Sequence, residues 1–493
     1  MKYRFTNLAA ALLIGIVLSS CAAANDWWAS EVVSYSRLGN SPYDNPLAVL
    51  GKPSTWMNSS GSPNDTYPCA VSMVSAAWNV GLTGEKLITT IKTKSSTLPA
   101  GQITVKFAAP IYDDPQNWYG KDFIAFGNGF FNFGGSYVYS STDMDSLPIY
   151  AYSEQSGFWE PMPVSVSQDG VTWYSFANGP YADDYAPTQA FAWDWVENRW
   201  LKNSAGTEVE LEFTRPVDPS LTVTSFNQKS VAQGIDLYKG SGGGTAFDLE
   251  DLPDLPADPG TGLKWIQYVK VDGTGGEVDA FARVSHQIAP ISIGEAKKLD
   301  DGTNIVLSDV VVSSETYATG RSCYIQQADR SSGIKLMGRI LGKGQKLSAV
   351  YGKTDTIGGE RVILATSVLA EADEQGNNIT ADVRPLGMTN NVAAGTGLST
   401  KGLLVRTCGR VKSVDSNAKS FVVGDGSNHE IKCLAPRNTK AAEPNNGLIP
   451  DPDFVLPGED DFVVVTGINS SENTDNQQVS IIMLRSSDDM QIK

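Results

Sequence analysis

Apolar and polar residues alternate with a period of two over several short stretches of this chain. Ile103, Val105 and Phe107 share one face of residues 102–107, and Val209, Leu211 and Phe213 are interleaved with Glu208, Glu210 and Glu212. That period marks a half-buried strand. Val164 to Ser167 and Val171 to Phe176 flank Asp169-Gly170, a pair that tolerates the positive φ angles of a tight type I′ turn, so a hairpin is predicted there. Another strand is predicted over 264–271. Past the first twenty residues no window of comparable length holds a 3.6-residue period, and the expected fold class is all-β. Residues 22–288 suit a large two-layer β-sandwich with long decorated loops.

The last two hundred residues repeat themselves. A shift of 97 lays Tyr324-Ile325-Gln326 on Phe421-Val422-Val423, Gly333-Ile334-Lys335-Leu336 on Glu430-Ile431-Lys432-Cys433, and Ile305-Val306-Leu307 on Gly402-Leu403-Leu404. Leu347 to Gly352 then matches Phe462 to Gly467 at a shift of 115, because the second copy carries an extra loop from about Pro436 to Glu459. A period near 100 is too long for a solenoid unit. Two tandem small β-barrels, over 289–385 and 386–493, are predicted instead, each with about five short strands.

Composition supports that division. All eleven Trp lie between Trp27 and Trp265, whereas the stretch from Ile291 onward has none and only three Tyr and three Phe. The formal charge is −17, of which −15 falls on residues 22–290 and −4 on 291–493, the first 21 residues contributing +2. Polyanion binding needs clustered Lys and Arg, so nucleic acid is an unlikely partner. Two His, and Cys never spaced as a ligand pair, argue against a zinc site.

Lys2 and Arg4 precede an apolar run from Leu8 to Leu18 that is too short to span a bilayer and reads as an export signal. It ends in Leu18-Ser19-Ser20-Cys21, which resembles a bacterial lipobox, in which the Cys becomes the lipidated first residue of the mature protein. Residues 1–21 are thus expected to be a lipoprotein signal, and a lipid bilayer the partner of Cys21. Acyl chains contribute about 0.8 kcal/mol per buried methylene. Ala22, where an Asp would favour inner-membrane retention, leans the expectation towards the outer membrane or cell surface. Cys69, Cys323, Cys408 and Cys433 remain, which allow three complete pairings. Cys408 with Cys433 is the favoured pair, and free buried thiols are an equally good reading.

The strings Asp44-Asn45-Pro46-Leu47-Ala48-Val49-Leu50-Gly51, Gly120-Lys121-Asp122-Phe123-Ile124-Ala125-Phe126-Gly127-Asn128 and Val164 to Tyr174 resemble those of an uncharacterised family of bacterial cell-surface lipoproteins with a jelly-roll-like N-terminal domain. Thr245 to Leu249 and Ile266 to Val271 continue the likeness. Residues from Ile291 on, notably Asp329-Arg330-Ser331-Ser332-Gly333-Ile334 after a Tyr-Ile-Gln strand, resemble tandem OB-like domains of exported proteins. The resemblance implies fold and location; it brings no catalytic residues with it, since folds of this kind serve many purposes.

Catalytic signatures are sparse. No Gly-x-Ser-x-Gly occurs, Ser416-x-x-Lys419 lacks companion motifs, and His286 and His429 stand 143 residues apart. Gly242-Gly243-Gly244 and Gly342-Lys343-Gly344 lack the pattern of a phosphate loop. Paired carboxylates for glycoside hydrolysis cannot be matched up from sequence, which leaves an extracytoplasmic hydrolase of polysaccharide or phosphodiester as the alternative function and a purely structural surface-assembly protein as a third. Asp113, Asp114, Asp122, Asn128, Asp143 and Asp145 crowd loops beside the first sheet as candidate oxygen ligands for a structural calcium, although no EF-hand spacing appears. Loop aromatics beside polar groups form the expected ligand-binding set: Trp118 and Tyr119 with Asp122 and Asn128, Trp159, Tyr181 and Tyr185, and Trp193 and Trp195. Rings of this kind stack on the apolar faces of sugars while nearby acids and amides bond the hydroxyls. The expected function is non-catalytic binding of carbohydrate, another extracellular polymer or a surface protein, with the two barrels as spacer or docking modules.

Overall fold

The structure, a computed structural model, describes residues 26–37, 41–58, 68–77, 87–92, 100–135, 138–273, 275–395, 399–440, 445–474 and 477–493. Residues 1–21, on which the expected signal and lipidated Cys21 fall, lie outside the described residues. Among the described residues no helix is long and apolar enough to cross a membrane.

The fold is all-β, a sandwich followed by two barrels. Eight strands make the sandwich: β1 (Ala29–Ser36), β2 (Gly101–Tyr112), β3 (Phe123–Phe126), β4 (Val164–Ser167), β5 (Tyr174–Ser175), β6 (Thr245–Phe247), β7 (Trp265–Gly273) and β8 (Ala280–Arg283). One antiparallel sheet runs β1-β2-β7-β4-β5 and the facing sheet β6-β3-β8. The alternation seen in the sequence sets their faces. Ile103, Val105 and Phe107 of β2, Val269 and Val271 of β7, and Val164 and Val166 of β4 meet Phe123, Phe247 and Phe281 of the other sheet in one core. Register keeps like with like: Val105 pairs with both Val32 and Val269, and Val269 with Val166. The hairpin at Asp169-Gly170 exists, but Val166 pairs with Tyr174, so its loop is longer than a two-residue turn. The Asp169 carboxylate accepts from the N–H groups of Val171 and Thr172 at 2.8 and 2.7 Å, which closes the wider loop and leaves Val171 exposed.

Two long excursions leave the sandwich, between β3 and β4 and between β5 and β6. Together with residues near 56–77 they build a second core around Phe131, Ile149, Phe191, Trp193, Phe226 and Ile235. Its backbone is mostly irregular, and the alternating run at Val209–Phe213 forms only isolated bridges, Glu210 with Phe191 and Glu212 with Ser241. The helix Val231–Leu237 is two turns long and starts at a Ser230/Gln233 capping box, whose side chains and backbone bond reciprocally. Seven residues are too few to show as a periodic window.

Both barrels have OB topology. In the first, β9 (Asn304–Leu307), β10 (Val310–Ser314), β11 (Cys323–Gln327), β12 (Gly333–Met337), β13 (Lys346–Ile357) and β14 (Glu360–Ala370) close a ring β10-β11-β12-β14-β13, with β9 extending β10 along β13 and β12 parallel to β14. In the second, β15 (Leu404–Asp415), β16 (Ser420–Gly424), β17 (Glu430–Leu434), β18 (Phe462–Thr474) and β19 (Gln477–Met483) close the same ring, again with one parallel pair, β17 and β19. The shift of 97 holds to the residue for β11 and β16, for β12 and β17, and for the short helices Ile293–Ala296 and Asn390–Ala393.

The domains are packed onto one another. Val362 and Leu364 of β14 belong to the second core. Arg321 meets Glu197 with two contacts at 3.0 and 3.1 Å, and Ser204 donates its N–H and hydroxyl to Asp355 at 2.6 and 2.8 Å. Between the barrels, Tyr324 of β11 is fully buried against Leu404, Ile468, Ile481 and Met483, and its hydroxyl bonds Glu360 and Ser470.

The favoured disulfide is overturned. All four described cysteines are free. Cys433 points into the core of the second barrel, while Cys408 is exposed on β15, so the barrel wall separates them.

Candidate functional site

A cavity of about 500 Å³ lies where the loop lobe meets the first barrel. One wall comes from Trp56 and Phe191, whose rings stand 5.2 Å apart, and from Asn203, Glu208 and Glu210. The other comes from Asp301, Lys353 and Asp355 of the barrel. The alternation at 208–213 explains its polarity: Val209 and Leu211 turn into the second core and Glu208 and Glu210 turn out. Cations balance the acids. Lys52 pairs with Glu210, Lys202 with Glu208 at 3.3 Å, and Arg361 with Asp301. Burial lowers the pKa of Lys353, which Glu210 and Glu212 partly offset. A cleft at a domain junction, with an aromatic ring and convergent hydrogen-bonding groups of both kinds, has the make-up of a small-ligand or sugar site.

The aromatic set predicted from sequence does not gather at a surface. Trp118 and Trp193 are 3% and 1% exposed, and Asp122 and Asn128 are equally buried. Trp118 lies under the Arg215 guanidinium, 3.8 Å from the ring centroid, beside half-buried Tyr119. Trp159 stands edge-on to Phe131, Tyr185 packs on Phe131 and Phe226, Trp193 packs on Trp200, and Trp195 joins the same core. Tyr181 is half-buried and apart from these. The correction has a simple cause: a lobe with few regular strands must fill its interior with large side chains. Aromatics that do reach solvent include Tyr150 and Tyr152, stacked at 6.0 Å. On the outer face of the five-stranded sheet, Lys106 covers Tyr268 and Lys270 covers Trp173, so those ring faces already have a cation. Trp56 was missed because its signal, one Trp after the Gly51-Lys52-Pro53 turn, is no different from that of a core residue.

Of the calcium candidates, Asp113 and Asp122 fall in one of two carboxylate clusters, Asn128 lies beside the other, and Asp114 bonds His286 at 3.0 Å. Asp113, Asp122 and Asp248 bring one oxygen each within 4.8 Å of the others, and so do Glu160, Asp183 and Glu277. In the first cluster Asp122 accepts from the Leu249 N–H at 2.8 Å and the Asn117 amide at 3.1 Å, Lys121 bonds Asp248 at 3.4 Å, and Lys264 pairs with the neighbouring Glu250 at 3.1 Å. Burial pushes Asp122 up to about 7, and burial with Glu250 pushes Asp113 up to about 6. In the second, burial and Glu277 hold Asp183 well above the usual carboxylate range, and burial and Glu160 push Glu277 up to about 7. Asp143 and Asp145 lie elsewhere: Asp143 accepts from Asn198 and Asp145 from Ser230.

No protein-family model matches the chain, and no curated protein matches it. A solved structure described as "Structural mimicry for functional antagonism" is 13% identical over 41% of this chain and all of its own length, with a TM-score of 0.19. Another, "p202 HIN1 in complex with 12-mer dsDNA", is 12% identical over 40% of this chain and 98% of its own, also at 0.19. At that TM-score neither bears on the ligand of this chain.

Proposed function

We propose that this chain is a lipid-anchored surface protein of a bacterium that binds a carbohydrate polymer, without turning it over, in the cleft between the loop lobe and the first barrel. One observation carries the reading: Trp56 forms part of an open cleft of about 500 Å³ in which Asn203, Glu208, Glu210, Lys353 and Asp355 supply acceptors and donors for hydroxyl groups. An open cleft suits an internal stretch of a chain better than a small free metabolite, which needs enclosure. Nucleic acid fits poorly with walls that carry four carboxylates.

Affinity electrophoresis and calorimetry against a polysaccharide panel test this. Binding that falls at least 10-fold in Trp56→Ala, with the melting temperature of the variant little changed, supports the cleft. No binding to any polysaccharide, or binding indifferent to Trp56→Ala, overturns it. Turnover of the bound glycan, lost on Glu208→Gln or Asp355→Asn, replaces it with a hydrolase. The anchor is tested separately by palmitate labelling, which should enter the wild type and be absent from Cys21→Ser.

A further inference from the structure

Four separate segments meet where the two excursions are rooted in the sandwich. Asn128 follows β3 as the first excursion leaves, Glu160 precedes β4 as it returns, Asp183 opens the second excursion, and Glu277 lies between β7 and β8. Backbone bonds join the roots: the Glu160 N–H donates to the Asp183 carbonyl at 3.1 Å, and Met162 and Ala182 exchange a pair. Two glycines make the approach possible. A Cβ at Gly127 would stand 2.2 Å from Asp183 Oδ1, and one at Gly276, whose φ is +133°, would stand 2.9 Å from Glu160 Cβ and 3.1 Å from Asp183 Oδ2.

Asp183 Oδ1 accepts from the N–H groups of Asn128 and Gly129, both at 2.9 Å, which turns Oδ2 towards the two glutamates. Among the described residues no salt bridge reaches Asp183 or Glu277. The Asn128 side chain is 1% exposed, its amide group interacts with Glu277, and its Oδ1 makes no hydrogen bond. A buried amide oxygen without a partner costs roughly 1–3 kcal/mol, a cost that a bound cation would offset.

We propose that Glu160, Asp183, Glu277 and Asn128 Oδ1 form a calcium site that ties both excursions to the sandwich. Oxygens that share one calcium at about 2.3–2.6 Å stand no more than about 5 Å apart, and the three carboxylate oxygens here lie within 4.8 Å of one another. The donors are all oxygen, which suits a hard cation, and three of the four, Asn128, Glu160 and Asp183, come from irregular segments, which suits calcium better than the strict octahedron of magnesium. The Asp113, Asp122 and Asp248 cluster differs in already holding a cation, Lys121, which pairs with Asp248 at 3.4 Å.

Calcium chloride titrated into the full chain in detergent, by calorimetry and by thermal unfolding against a chelator, tests the site. One calcium per chain, a higher melting temperature with calcium than with chelator, and a loss of affinity of at least 10-fold in Glu160→Gln and in Glu277→Gln are expected, with Asn128→Ala weaker than wild type and Asp248→Asn unchanged. No binding at millimolar calcium overturns the proposal. So does binding that survives both glutamate variants, or that Asp248→Asn abolishes. Glu160 is half-exposed, so Glu160→Gln keeps the test open should Glu277→Gln fail to fold. Magnesium that binds as tightly as calcium overturns the assignment of the ion.

Discussion

Arg215 shows how much a single side chain carries here. It is 2% exposed, and its guanidinium lies 3.8 Å from the centroid of Trp118 and 4.5 Å from that of Tyr351, one ring from each of two domains. Glu212 supplies the opposite charge nearby. A desolvated cation between two rings contributes about 2 kcal/mol, and the flat guanidinium is what stacks. Arg215→Lys should therefore cost roughly 1–3 kcal/mol in denaturant unfolding, and Arg215→Ala more, since it removes the larger of the two cationic influences on buried Glu212 and leaves only Lys353. A lysine variant as stable as wild type would contradict this. Buried carboxyls give a second expectation. Burial pushes Asp122 and Asp279 up to about 7, far above the value near 4 of the unfolded chain. The fold therefore holds protons that the unfolded chain has released, and stability falls as pH rises from about 4 to about 7. With chelator present, the melting temperature should be higher near pH 5.5 than near pH 7.5, and Asp122→Asn should flatten that slope.

Among the elements, the junction of the barrels depends on two glycines. A Cβ at Gly333, at the start of β12, would stand 2.3 Å from the Gly402 carbonyl oxygen, and one at Gly402, whose φ is +82°, would stand 2.4 Å from Gly333. Backbone on both sides cannot move aside as a side chain could. Gly402→Ala should cost roughly 2–4 kcal/mol, from overpacking together with the left-handed conformation, and should raise hydrogen exchange in β11 and β15 first. Elements were also the scale at which sequence was most legible. Strong alternation found β2 and β7, and two copies of one motif found the barrels, because a core face and a repeated fold each impose a period. The loop lobe was not legible for the same reason: its core is fed by irregular segments, so Trp159, Tyr185 and Trp193 read like candidate ligands when they are filling. Asp113 and Asp122 do meet, while Glu160 and Asp183 lie on different loops and Glu277 reaches them from more than ninety residues on, which no local pattern records.

For the whole molecule, the first barrel is no free spacer. Its β14 enters the second core, and Glu197, Ser204 and Asp236 each bond it from the loop lobe. Calorimetry should therefore show the sandwich, loop lobe and first barrel melting in one transition; a separate early melt of the first barrel would contradict the shared core. The burial of Tyr324 has its own consequence. Small barrels of this topology commonly engage polymers through the wall made by their second and third strands, and here that wall of the first barrel is spent on its own sibling. Duplication has thus lengthened the tail while removing one docking face, and any molecule that recognises this end must come to the second barrel or to the seam.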